Sequence, residues 1–126
     1  MKLRTLIRMD GLAALASGCA VLLVRPWIAE WSGLPADTLV SMAAISLVYA
    51  AYSLTLSMRA VIPIFGVKAL IAANLVWAVV CIGVLAGHSQ TATVLGCAYL
   101  LIEALLVAAL AWLERRELSS LPPIGR

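Results

Sequence analysis

The chain has 126 residues, of which 64% are hydrophobic and 12% charged, with a formal net charge of +3. Soluble domains are about 45–50% apolar and about 25% charged, so this composition excludes an ordinary soluble fold. With no soluble fold to carry a basic patch, the positive charge gives no reason to expect a nucleic-acid partner.

The apolar residues fall in blocks, and a block of about 20 suffices to cross ~30 Å of hydrocarbon. In the first, residues 11–24 lie uncharged between Asp10 and Arg25, too short a run to span alone. A helix over about 6–24 therefore starts near Leu6, with Arg8 snorkelling to the headgroups and Asp10 carried into the membrane edge. KLRTLIR, an apolar run and ASGC at 16–19 also have the outline of a lipoprotein signal with Cys19 as the lipidated residue. Asp10 inside the apolar region, and Ala16 where a large aliphatic residue is usual, argue against it. Gly11, Ala14 and Gly18 recur at helical spacing and form a face on which a second helix can approach closely.

The connection RPWIAEWSGLPAD, residues 25–37, holds a short interfacial helix over 26–33. Pro26 suits its first turn, Trp27 and Trp31 share one face, and Gly33 and Pro35 end it. Such a segment anchors at headgroup level or covers the mouth of a bundle. The second span, 38–58, is uncharged and carries Ser46, Ala50, Ser53 and Ser57 on one face.

Pro63 opens the third span, 64–86, with Lys68 near enough to its end to snorkel. Asn74, Trp77, Cys81 and Leu85 form one stripe along it. The fourth span, 93–113, is interrupted by Glu103, with Tyr99 one turn earlier. The tail, 114–126, begins as a helical extension and turns irregular at Pro122–Pro123; Glu114 and Arg115 open a mixed-charge run of ordinary juxtamembrane character.

The fold class expected is an all-α membrane protein, a single domain over 1–126 built as a four-transmembrane-helix bundle. All the basic residues but Arg25 lie before or at the start of the first span, around the connection between the second and third, or after the fourth. The positive-inside rule then places both termini in the cytoplasm, N-in and C-in.

Glu103, Asn74 and Asp10 are the informative polar residues. A carboxylate at a helix centre costs roughly 2.5–3.5 kcal/mol on insertion scales, so Glu103 should face the bundle interior. At about 1.5 Å per residue, Asn74 lies roughly 10 Å and Glu103 roughly 15 Å from the inner end. The expected binding cluster is Asn74, Trp77, Tyr99 and Glu103, with Asp10 shallower and ion-paired with Lys68 or Arg59 at the cytoplasmic rim.

Enzymatic chemistry is not expected: no nucleophile has a neighbouring base, and Ser89 beside His88 lacks an orienting third group. There is no glycine-rich phosphate loop. Cys19, Cys81 and Cys97 form no CxxC and no zinc spacing, and serve as small apolar fillers or as a potential pair. His88, the only histidine, precludes a bis-histidine haem within one chain. No metal or cofactor is expected.

IRMDGL at 7–12, ANLVWA at 73–78 and EALLVAALAWLE at 103–114 resemble stretches of small bacterial four-helix integral membrane proteins. The resemblance implies the fold and a multi-pass place in the bacterial inner membrane, and implies no activity. Two functions compete. One is a helix-packing module, a subunit, scaffold or self-associating bundle whose partners are lipid and other membrane helices, in a homo-oligomer or a larger complex. The alternative is a small proton-coupled transporter, or a lipid or small-molecule carrier, working through Glu103. Small multidrug-type exporters are also four-helix proteins with a membrane glutamate, but theirs lies in the first helix. A packed interior beside Glu103 favours the module and an open pocket favours the carrier.

Overall fold

A computed structural model describes residues 3–120, in which five helices and no strands appear. They are α1 (Leu3–Leu23), α2 (Arg25–Ser32), α3 (Ala36–Ser57), α4 (Ile64–Gly87) and α5 (Val94–Ser119). All but α2 are long and apolar enough to cross a membrane. A helix stands over each expected span and over the connection between the first two, and two boundaries differ by more than two residues. The first helix begins at Leu3 rather than near residue 6, and the last runs to Ser119, so Glu114 belongs to the helix and not to a tail. Pro122–Pro123 lie outside the described residues.

The long helices pair as two hairpins. α1 packs along α3, and α4 along α5, while α3 and α4, consecutive in sequence, are not packed along their length. Small residues bring α1 and α3 together as the spacing predicts. A Cβ on Gly11 would fall 2.9 Å from Leu54, and one on Gly18 would fall 2.8 Å from Leu47. Ser46, Ala50, Ser53 and Ser57 are all buried, and Ser53 Oγ donates to the Ile7 carbonyl at 2.8 Å across the helix pair. Ala14 is only half-buried and faces the space between the hairpins.

Each end of the bundle has its own closure. At the end where α1 begins and α5 finishes, Ile7, Leu56, Val67 and Leu70 form a small apolar core. There the Arg4 guanidinium donates to the carbonyls of Ser57 (2.5 Å), Arg59 (2.6 Å) and Ala60 (3.2 Å). These carbonyls lie at and just beyond the C-terminal end of α3, where a cation is favoured.

At the opposite end α2 lies across the bundle, burying Ile28 and Ser32 and leaving Trp27 exposed. Gly33 ends it in the left-handed conformation at φ +71°, its N–H donating to the Ala29 carbonyl at 3.1 Å. Only glycine adopts that backbone readily. The end of α2 is tied to the start of α5: Thr93 N–H donates to the Ser32 carbonyl at 3.0 Å, and Thr93 Oγ1 to the Trp31 carbonyl at 2.5 Å. Trp31 meets Tyr99 edge-on, centroids 6.4 Å apart. Beneath α2 sits the larger core, with Leu34, Leu39, Met42, Cys81 and Leu100 among its members.

Candidate functional site

Polar side chains lie between the two cores, in two layers rather than in one cluster. In the upper layer, nearer α2, Trp77 Nε1–H donates to Glu103 Oε1 at 3.1 Å. Both side chains are half-buried, and the contact joins α4 to α5. In the lower layer Asn74 is buried and reaches two other carboxyls. Its Nδ2 donates to Asp10 Oδ2 at 3.0 Å and to Glu114 Oε1 at 2.8 Å. Tyr49 on α3 completes that layer by donating its hydroxyl hydrogen to Asp10 Oδ2. Four helices thus meet in this layer.

Three expectations are corrected here. First, Asn74 does not pair with Glu103. Asn74 is level with Glu114, to which it bonds, and Glu103 lies eleven residues, about 16 Å, further along α5. That distance is beyond one amide, and Trp77, one turn above Asn74, makes the contact with Glu103 instead.

Second, Asp10 is no rim ion pair. It lies seven residues into α1, about 10 Å from its start, and is 3% exposed, while Lys68 and Arg59 are exposed. A carboxyl at that depth needs hydrogen-bond donors around it, and Tyr49 and Asn74 supply them. Third, Tyr99 lies within electrostatic reach of Glu103 but does not hydrogen-bond to it: its ring meets Trp31, and its hydroxyl interacts with Ser17.

Tyr49 and Glu114 were not anticipated. Ser46, Tyr49 and Ser53 share a face of α3 by their spacing, and Glu114 follows Glu103 by eleven positions, about three turns. Both periodicities were available in the sequence.

Between the hairpins, a cavity of about 460 Å³ joins the two layers. Asp10 and Asn74 line its lower end, Trp77 and Glu103 its upper part, and Ile45, Val76, Val80 and Leu106 are among its apolar walls. Those four wall residues are also exposed, so the cavity reaches the sides of the bundle, the face a lipid bilayer would cover. Its size lies in the range of small-molecule sites, roughly 300–1,000 Å³, and its make-up of apolar walls with a few convergent polar groups is typical of them. Toward the ends it is closed by the two apolar cores and by α2.

Cys19, Cys81 and Cys97 are free thiols, Cys81 buried as core filling. His88 Nδ1 lies 3.0 Å from the Val84 carbonyl at the end of α4, away from the cavity. Among the described residues no group of three histidine, cysteine, aspartate or glutamate side chains is placed to hold a metal ion.

Fold and site together define a small all-helical protein, with four helices fit to cross a membrane around a carboxyl-bearing, laterally open cavity. No family model matches the chain, and neither a curated protein nor a solved structure is similar to it.

Proposed function

We propose that the protein is a small multi-pass carrier of the bacterial inner membrane, with both termini cytoplasmic, that takes an amphiphilic small molecule from the bilayer into its cavity. The observation supporting this most directly is the cavity itself, about 460 Å³, apolar-walled, and bearing Glu103 and Asp10. Carboxyls that meet only neutral donors within the protein favour a ligand with a cationic or hydrogen-bond-donating head. The exposed wall residues favour entry from the side, and the charge distribution favours the stated orientation. No reactive constellation accompanies the cavity, which supports binding rather than catalysis.

Tetraphenylphosphonium, a lipophilic cation, is a suitable probe. In detergent solution, titration calorimetry should show saturable binding, weakened about tenfold by Glu103→Gln, which keeps the shape and removes the charge. A tenfold change corresponds to about 1.4 kcal/mol, within the range of a hydrogen bond or ion contact to a charged group. Equal affinity of the parent and Glu103→Gln, or no binding to the folded parent, would refute a Glu103-centred cation site.

The module reading keeps one specific support. A Cβ built on Gly83 or Gly87 meets nothing within 4 Å, so the Gly-x-x-x-Gly face of α4 is open to a helix of a second copy. If copies associate there, Gly83→Leu should shift the mass measured by light scattering from dimer to monomer. A monomeric parent would end that reading.

A further inference from the structure

The lower polar layer does not close its own hydrogen bonds. Asn74 Nδ2 donates to Asp10 at 3.0 Å and Glu114 at 2.8 Å, which uses both amide hydrogens, and the Tyr49 hydroxyl hydrogen also goes to Asp10. Glu114 is fully buried and lies against the Asp10 carboxyl, yet its Oε2 has no partner. An ionised carboxylate can only accept hydrogen bonds. Two ionised carboxylates here would leave Oε2 bare and place like charges side by side, away from water. One hydrogen ion removes both problems, since a protonated carboxyl donates to its neighbour.

We propose that Asp10 and Glu114 form a proton-binding site, with one hydrogen ion held between the two carboxyls beneath the cavity floor and released when a cationic head reaches Asp10. Only Asp10 of the pair lines the cavity, so a ligand there touches one carboxyl while Glu114 stays behind it. When the cation arrives, the carboxyl O–H bond breaks, the electron pair stays on the carboxylate, and the hydrogen ion leaves. Charge is conserved in the exchange.

Between the pair and the end where α1 begins lies the apolar layer of Ile7, Leu56, Val67 and Leu70. The groups facing the pair are Asp10 from α1, Tyr49 from α3, Asn74 from α4 and Glu114 from α5. Neighbouring Arg8, Lys68, Arg115 and Arg116 are exposed, Arg116 lying over the Trp112 ring at 5.5 Å. Glu103 belongs to the upper layer on Trp77. Release by ligand rests on the carrier reading, whereas the proton site itself does not.

Infrared spectroscopy of the full chain in lipid nanodiscs separates the two parts. At neutral pH the parent should show a protonated-carboxyl C=O band, absent from both Asp10→Asn and Glu114→Gln and present in Glu103→Gln. Carbon-13 labelling of aspartate or of glutamate carboxyls in the parent should shift that band, according to which of the two carries the hydrogen ion, a check independent of whether the variants fold. Absence of the band, its persistence in both variants, or its loss on adding sodium chloride at constant pH would overturn the proton site; the last result would make it a sodium site.

Tetraphenylphosphonium added to weakly buffered parent protein should release about one proton per cation bound, by the like-charge exclusion that lets only one charge occupy the carboxyl pair. Binding without proton release overturns the coupling. A band without any cation binding upholds the proton site and removes the carrier reading.

Discussion

Asn74→Ala is expected to lower stability by about 2–4 kcal/mol, far more than an ordinary polar contact between membrane helices. Such contacts average about 0.6 kcal/mol, because helices dispersed in the bilayer find other partners. Asn74 differs in what its loss strands. Glu114 would lose the amide donor to its Oε1 and Asp10 one of two neutral donors, both carboxyls remaining buried. A buried polar group left unsatisfied costs about 1–3 kcal/mol, and here two are affected.

Asn74→Asp should be worse at neutral pH, since it removes both N–H groups and adds a third acid. Its sign with pH is distinctive. Acidification protonates the added carboxyl and restores a donor, so its stability should rise as pH falls, whereas Asn74→Ala has no group to regain. Thermal unfolding in detergent, followed by circular dichroism from neutral to acidic pH, checks both. If Asn74→Ala unfolds within a degree of the parent, the amide is not what joins the four helices.

What the sequence discloses about this site depends on how far each residue's role is set by its own helix. The small faces of α1 and α3 depend on local spacing, and Gly11, Gly18, Ser46 and Ser53 are buried as that spacing implies. The inward stripe of Asn74, Trp77 and Cys81 is equally local, as is the need of Glu103 for an interior partner. The identity of partners depends on register between helices, which follows from where each helix begins and ends.

The α4–α5 register sets Glu114, inside a helix that runs to Ser119, against Asn74 and leaves Glu103 three turns above it. In sequence, Glu114 is masked by the charges that follow it, since ERRE reads as an exposed juxtamembrane run. The cavity is less legible still. It exists because α1–α3 and α4–α5 pair tightly while α3 and α4 do not, a relation between hairpins that no single segment encodes.

The same substitution, glycine to alanine, should have opposite signs at two positions of the α4–α5 hairpin. At Gly96 an added Cβ would sit 2.1 Å from the Ser32 carbonyl oxygen and 2.9 Å from its carbon, both backbone atoms of α2 that cannot rotate away. Accommodating it means lifting α2 from α5, loosening the bond from Thr93 N–H to the Ser32 carbonyl at 3.0 Å and the Trp31–Tyr99 contact. Overpacking of this kind costs about 1–3 kcal/mol, and a backbone clash belongs at the upper end.

At Gly83 nothing lies within 4 Å, so alanine brings only its better helix propensity, up to about 1 kcal/mol in its favour. Gly96→Ala should therefore lower the unfolding temperature and Gly83→Ala leave it unchanged or raise it. Trp31 fluorescence, isolated by replacing the other tryptophans with phenylalanine, should red-shift in Gly96→Ala alone as the indole separates from Tyr99. A Gly96→Ala variant as stable as the parent, with unshifted emission, would mean that α2 does not clamp this end of the bundle. The cavity below would then have an entrance through the α2 end as well as from the side.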